Sequence, residues 1–145
     1  MLSLDHFLAR IEKARGTLGT TRRWSGPMPE GDDTAAAIAA MVGYAPAAGA
    51  LHPISRDAAA LTLSFVAANS LTSKAYNRPR DGLASLARSA FTDLSQGAKY
   101  YSNGDWAEAW RTPRFQFQPI SGHRFDAGLI GWDAHKAFIF WVEED

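Results

Sequence analysis

The order of apolar and polar positions divides the chain into a helical first part and a strand-rich last part. Before Pro113 the apolar residues recur at helical spacing, as in Leu4, Phe7, Leu8 and Ile11, which lie at i, i+3, i+4 and i+7. After Pro113 apolar and polar residues alternate, which is the period of a strand. This change predicts an α+β fold with N-terminal helices packed on a small C-terminal antiparallel sheet.

Capping and breaking residues predict where the helices begin and end. Ser3 is a natural N-cap for the first helix, and Gly16 is a natural stop. The stretches 16–33 and 45–53 are rich in residues that favour turns, so both are predicted to be loops. Further helices are predicted at residues 34–44, 57–76, 81–97 and 106–111.

The stretch 57–76 carries two competing periods. Leu61, Leu63 and Phe65 alternate as in a strand, while Leu61, Phe65 and Ala68 also follow a helical stripe. Its length and its alanines favour a helix, and a strand within it stays open as the alternative.

The C-terminal part predicts three strands, at residues 114–120, 126–132 and 137–142. Residues 133–136 are a plausible turn that joins the last two strands as a hairpin.

The last predicted strand is apolar on both faces, since successive side chains of a strand point to opposite sides. Such a strand is buried on both sides, or one side meets a partner. The acids that follow it protect an exposed strand edge from aggregation, or they form an acidic lip that meets a basic cleft of another protein. These acids are Glu143, Glu144 and Asp145.

Composition limits the class of protein. The chain has 145 residues, of which 46% are hydrophobic, so a single domain over 1–145 with one core is expected. The absence of cysteine excludes disulfides and thiolate metal sites. The net charge of zero argues against a nucleic-acid binder, which usually carries an excess of Lys and Arg. Residues 104–145 hold seven acids and four basic residues, so the acidic end of the molecule is predicted there.

No targeting segment is evident. The N-terminal apolar pattern is interrupted by Asp5 and Glu12, which argues against an export signal. The alanine-rich stretch 34–50 is broken by Gly43 and Pro46, so it is a poor membrane span. A cytoplasmic protein without membrane contact is expected.

No catalytic or cofactor motif is present. The four histidines are scattered and form no HxxxH pair, and no Gly-x-Ser-x-Gly elbow occurs. Residues 16–23 resemble a phosphate cradle only faintly, because they follow a helix instead of a strand. The prediction is therefore a protein with no enzymatic activity, no metal and no cofactor.

Aromatic residues cluster in KYYSNGDWAEAW. Trp106 and Trp110 are four positions apart and would share one face of an α-helix, and Asp105 and Glu108 would share another. Aromatic residues of this kind anchor protein interfaces, although helix capping by Asp105 and core packing of the tryptophans are the plainer interpretation. Sugar hydrolysis is disfavoured, because carboxylates on one short helix rarely reach opposite sides of a bond.

The sequence DAGLIGW, followed by KAFIFWVEED, resembles the closing hairpin of small bacterial immunity proteins, which neutralise toxins delivered between competing cells. The resemblance covers residues 126–145. It implies a cytosolic, non-catalytic single domain that plugs the active site of a toxin, with the C-terminal acids at the contact surface.

The sequence thus predicts a protein-binding module, most similar to an immunity protein that occludes a toxin with a basic cleft. One alternative is a small enzyme acting on a carbohydrate or nucleotide, with Asp105 or Glu108 beside His123 and Arg124. Another is a structural subunit of a secretion or phage assembly. Partner contacts are predicted at Tyr101, Asp105, Trp106, Glu108, Trp110, Trp132, Glu143, Glu144 and Asp145.

Overall fold

The computed structural model describes residues 2–145 and contains a five-stranded sheet with helices packed on both faces. All strand pairs are antiparallel, in the order β1-β5-β4-β3-β2, which confirms the predicted α+β class. The elements are α1 (Leu4–Arg15), β1 (Thr20–Pro27), α2 (Thr34–Ala40), β2 (His52–Ile54), α3 (Arg56–Ala68), α4 (Asp81–Ala90), β3 (Lys99–Ser102), β4 (Phe125–Trp132) and β5 (Lys136–Glu144), with 3₁₀ helices at Phe91–Asp93 and Trp106–Arg111.

The closing hairpin forms as predicted. β4 and β5 pair from Phe125 opposite Glu144 to Trp132 opposite Ala137. Asp133 closes the turn, since its backbone N–H donates to the Lys136 carbonyl at 2.9 Å. Its carboxylate also accepts the backbone N–H of Lys136 at 2.8 Å, which lowers the pKa of Asp133.

β5 is the second strand of the sheet, and the chain itself covers both of its faces. Phe138 and Phe140 point towards α1, α3 and α4, and they belong to the larger hydrophobic core. Ile139 and Trp141 point to the opposite side and pack in a second core with α2 and Tyr44. All four strand side chains are fully buried, so the apolar character of both faces is explained without a partner.

The prediction of a loop over residues 16–33 is wrong, because β1 lies there. β1 forms one edge of the sheet and pairs with β5 from Thr20 opposite Glu143 to Pro27 opposite Lys136. Most of its side chains are exposed, and backbone hydrogen bonds to β5 hold the strand in place. Because neither face of β1 is buried, its sequence lacks the alternation of apolar and polar residues that predicts a strand. Gly19 leads into the strand with φ of 63°, and a Cβ there would lie 2.1 Å from the Glu143 carbonyl oxygen.

The predicted strand at residues 114–120 is also wrong. This segment is irregular, and its isolated bridge between Phe117 and Gly104 lies outside the five strands of the sheet. Phe115 and Phe117 do share a side, as their alternation predicts, but they pack against the indole of Trp106 instead of joining the sheet. The sheet takes its other edge from β3 and β2. β2 overlaps the predicted loop at 45–53, and β3 lies where no strand was predicted.

The predicted helix at 57–76 ends early, and the strand alternative within it is wrong. α3 stops at Ala68, where Asn69 takes an extended conformation. The Asn69 side chain then donates to the Phe65 carbonyl at 3.1 Å and accepts the Asn77 backbone N–H at 2.7 Å. These bonds fix the following loop against the end of α3.

Two other helix predictions need correction. The helix predicted at 34–44 ends at Ala40, and the helix predicted at 81–97 ends at Ala90 and continues as a short 3₁₀ turn. Asp105 makes no side-chain capping bond to the helix that follows it. No helix within residues 2–145 combines the length and apolar character that crossing a membrane requires.

Candidate functional site

Two of the predicted contact residues, Trp106 and Glu144, are enclosed by the fold and do not form an exposed docking face, while Glu143 is buried but lines a cleft. The Trp106 side chain has no solvent exposure and stacks on Phe65 with ring centroids 5.5 Å apart. Its Nε1–H donates to Asn103 Oδ1 at 2.9 Å, so its polar atom is satisfied inside the core. Glu143 and Glu144 are buried as well.

Glu144 holds three segments together instead of forming an acidic lip. Its carboxylate accepts hydrogen bonds from the Arg15 guanidinium at 2.5 Å, the Ser70 hydroxyl at 2.6 Å and the Leu71 backbone N–H at 2.9 Å. Burial by itself would raise the pKa of Glu144, but these three donors outweigh burial and the pKa is lowered. Glu144 is therefore ionised in the folded protein at neutral pH.

Arg15, the partner of Glu144, is an equally buried charge. Its guanidinium donates to the carbonyls of Val66 at 2.6 Å and Asn69 at 2.9 Å, which are left free at the end of α3. The pair thus joins α1, α3 and the end of β5, and its role is structural.

A buried carboxylate that the sequence reasoning missed belongs to Asp126 in β4. It accepts the backbone N–H of Ile120 and of Ser121, the Ser121 hydroxyl at 2.6 Å and the Trp141 indole N–H at 3.1 Å. These bonds fasten the loop before β4 over the α2 face of the sheet. The signal in the sequence is an acid placed inside an apolar strand.

Glu143 lines a cleft of about 430 Å³, which we call the C-terminal cleft, and Asp145 contacts His123 beside it. Four separate parts of the chain build it: β1, the segment after α2, the loop before β4, and the end of β5. The side chains that carry its chemistry are Arg22, Tyr44, Ser121, His123 and Glu143.

Glu143 lies between Arg22 and His123 in this cleft. Arg22 Nε donates to its Oε1 at 3.0 Å, and this bond raises the pKa of Arg22. His123 Nε2 is 3.5 Å from Oε2, which is too long for a good hydrogen bond. Asp145, which is exposed, holds the other ring nitrogen of His123 at 2.9 Å; this bond raises the pKa of His123 and lowers the pKa of Asp145.

Tyr44 brings an unsatisfied polar atom to the same cleft. Its side chain is buried with its ring edge-on to Trp141, and its hydroxyl lacks a well-formed hydrogen bond among residues 2–145, although Glu143 and Arg22 lie close to it. Burial first, and then the negative charge of Glu143, raise the pKa of Tyr44, so the hydroxyl stays protonated. A buried hydroxyl without a well-formed hydrogen bond costs stability, and native proteins contain few of them.

Two of the predicted aromatic anchors form a pair elsewhere on the α2 face. Tyr101 in β3 and Trp132 in β4 stack with ring centroids 5.1 Å apart, and both are half-buried. They belong to the same hydrophobic cluster as Tyr44 and Trp141. The pair and the C-terminal cleft therefore lie on one face of the sheet.

Trp110, Asp105 and Glu108 occupy a different surface, at the 3₁₀ helix Trp106–Arg111. Trp110 is half-buried, and Glu108 forms an ion pair with Arg111 that lowers the pKa of Glu108. Asp105 is exposed.

The residues named for the enzyme alternative do not line one pocket, since Glu108 and His123 line different clefts. Within residues 2–145, no three His, Asp or Glu side chains lie close enough to hold a metal ion. Comparison with known protein families, curated proteins and solved structures finds no match for this chain.

Proposed function

We propose that the chain is a non-catalytic protein-binding module of the immunity-protein kind, which binds a cognate toxin and occludes a basic cleft on it. One observation carries the proposal: the buried hydroxyl of Tyr44, which lacks a well-formed hydrogen bond, and the buried carboxylate of Glu143 line the same open cleft. The resemblance of the closing hairpin to immunity proteins supports the class of partner.

The groups in the C-terminal cleft suit a cationic side chain of the partner. A Lys ammonium or Arg guanidinium has only donors, and the free ends of this site are acceptors: Glu143 Oε2 and the lone pairs of the Tyr44 oxygen. Above the raised pKa of His123 its ring is neutral, and the charges of Glu143 and Asp145 then exceed that of Arg22, so the cleft attracts a cation at those pH values. Charge-assisted hydrogen bonds of this kind are the stronger ones.

Two further features support a proposed contact on the α2 face. The stacked pair of Tyr101 and Trp132 is a rigid aromatic surface there, and such residues commonly carry much of the binding energy of an interface. Asp145 is exposed beside the cleft, where it would help steer a basic partner. Tyr101, Trp132, Glu143 and Asp145 are therefore proposed as contacts.

The change Tyr44→Phe tests this proposal, because it separates binding from folding. Removing an unsatisfied buried hydroxyl should raise the free energy of unfolding by about 1 kcal/mol, or leave it unchanged. The same change should weaken binding of the partner by about tenfold, since one hydrogen bond to the ligand is lost. Affinity capture from a lysate of the protein's own source would supply the partner, and calorimetric titration of wild type and variant would measure both affinities.

Tyr76→Phe is the matched control. The Tyr76 hydroxyl donates to the Leu71 carbonyl at 2.7 Å, in the larger core and away from the C-terminal cleft. This control should lose about 1 kcal/mol of stability and keep full affinity. Repeated capture of no partner, or equal affinities of wild type and Tyr44→Phe, would contradict the proposal.

A further inference from the structure

A second surface is centred on Trp110, and basic residues predominate there, in contrast to the C-terminal cleft. Two clefts of about 560 and 150 Å³ meet there and share Trp110 and Arg111 as lining residues. The walls come from the 3₁₀ helix Trp106–Arg111, the segment that follows it, and the loop between α3 and α4. We call these joined clefts the Trp110 groove.

Cations dominate the groove. Lys74, Arg78, Arg111 and Arg114 line it, against two acids, of which Glu108 is already paired with Arg111. Among residues 2–145, no carboxylate lies within ion-pair distance of the other three cations. Because the whole chain has no net charge, this is a local concentration of positive charge.

The groove also has a rigid aromatic floor. The Arg78 and Arg111 guanidiniums each lie 5.4 Å from the Trp110 ring centroid. Phe115 and Phe117 line the larger cleft and pack on the buried indole of Trp106. Aromatic and arginine side chains held in place in this way are the residues that most often dominate binding energy at interfaces.

The backbone at the rim is strained. Arg114 has φ of 55°, and it is the only residue other than glycine within 2–145 with a positive φ. A residue with a Cβ is rarely found in this conformation, where a glycine is relaxed. This strained residue carries its charged side chain at the edge of the groove.

We propose that the Trp110 groove binds an acidic segment of a partner protein. Carboxylates of the segment pair with Lys74, Arg78 and Arg114, and an apolar side chain between them lies against Trp110. The groove is open and elongated, which suits a peptide better than a small molecule, because small-molecule pockets enclose most of their ligand. A nucleic acid fits less well, because the basic residues are confined to this groove and the chain is neutral overall.

A peptide-binding measurement tests the groove with defined probes. The probes are fluorescein-labelled octapeptides in which glutamates flank a central Leu, Phe or Trp, and the readout is fluorescence anisotropy at low salt. We expect saturable binding that weakens as salt is added. The double variant Lys74→Glu, Arg114→Glu should bind at least tenfold more weakly.

The control variant carries the same change of charge elsewhere. Lys13 and Lys99 are exposed and line neither cleft, so Lys13→Glu, Lys99→Glu should bind the peptides as the wild type does. The proposal is overturned if no peptide of the panel binds, if the control loses as much affinity as the groove variant, or if an eight-nucleotide oligothymidylate binds more tightly than every peptide. None of the changed residues lines the C-terminal cleft, so this outcome is independent of the proposed function.

The variant Arg114→Gly is expected to change stability and peptide affinity in opposite directions. Relief of the backbone strain should raise Tm by about 2–4 °C, while loss of the guanidinium weakens peptide binding. A merely structural Arg114 would not show this combination. A lower Tm or unchanged peptide affinity would contradict the role given to Arg114.

Discussion

Replacing Glu144 with alanine is expected to lower the free energy of unfolding by about 3–5 kcal/mol. The change leaves the Arg15 guanidinium buried without its carboxylate, and it leaves the Leu71 N–H and the Ser70 hydroxyl without their acceptor. Urea unfolding followed by far-UV circular dichroism measures the loss. An exposed acidic lip at this position would give a loss below about 1 kcal/mol, as surface ion pairs do.

The double variant Arg15→Met, Glu144→Met is the control for an unpaired charge. Removing both partners avoids the buried charge, so the double variant should recover part of the stability that Glu144→Ala loses. Recovery is partial, because the Val66 and Asn69 carbonyls lose their donor. A double variant less stable than Glu144→Ala would contradict this explanation.

The contribution of Glu144 to stability depends on pH with a definite sign. The pKa of Glu144 is lowered in the folded protein, so its contribution is complete above its unfolded pKa of about 4.3 and is lost as the pH falls through the folded value. The difference in stability between wild type and Glu144→Gln should therefore be constant near pH 7 and shrink below about pH 4. A difference that grows as the pH falls would contradict the lowered pKa.

Trp106→Ala should cost about 3–5 kcal/mol of stability, because the indole fills the space between Phe65, Phe115 and Phe117. The lost Nε1–H bond also leaves the Asn103 side-chain oxygen without that donor. Guanidinium unfolding monitored by near-UV circular dichroism measures the effect.

Trp132→Ala is the comparison for Trp106→Ala, since it removes the same side chain from a half-buried position. It should lose clearly less stability, because less apolar area returns to water. Equal losses in the two variants, or a negligible loss for Trp106→Ala, would contradict the assignment of Trp106 to the core.

The parts of the fold that were predictable have strong local patterns. α1 has an apolar stripe between a serine cap and a glycine stop, and the closing hairpin has two apolar runs around a polar turn. β1 lacks such a pattern, because an edge strand with exposed side chains is held by backbone hydrogen bonds to β5. Those bonds depend on residues far away in the sequence, which local spacing does not report.

The wrong prediction of Trp106 as a partner contact also has a physical cause. Trp106 and Trp110 are four positions apart, a spacing that places two side chains on one face of an α-helix. The segment is instead a 3₁₀ helix with three residues per turn, so the two indoles point in different directions. Trp106 enters the core, and Trp110 remains at the surface.

The C-terminal cleft was beyond local sequence reasoning for a related reason. Three consecutive acids at the end of an apolar strand are usually exposed, and Asp145 is. Glu143 and Glu144 are buried because β1 pairs beside them, while α1 and the loops before β4 and after α3 cover them. Tyr44 joins Glu143 only through the fold, and nothing in its own segment indicates an unsatisfied hydroxyl.

The most direct test of cation binding in the C-terminal cleft is a nuclear magnetic resonance titration of the free protein with capped Gly-Arg-Gly at low salt, with capped Gly-Gln-Gly as the neutral control. The proposal predicts saturable shifts of the Tyr44 and His123 ring signals with the arginine peptide alone, and their loss in Glu143→Gln. Equal shifts with both peptides, no saturable shift with arginine, or full retention in Glu143→Gln would contradict it.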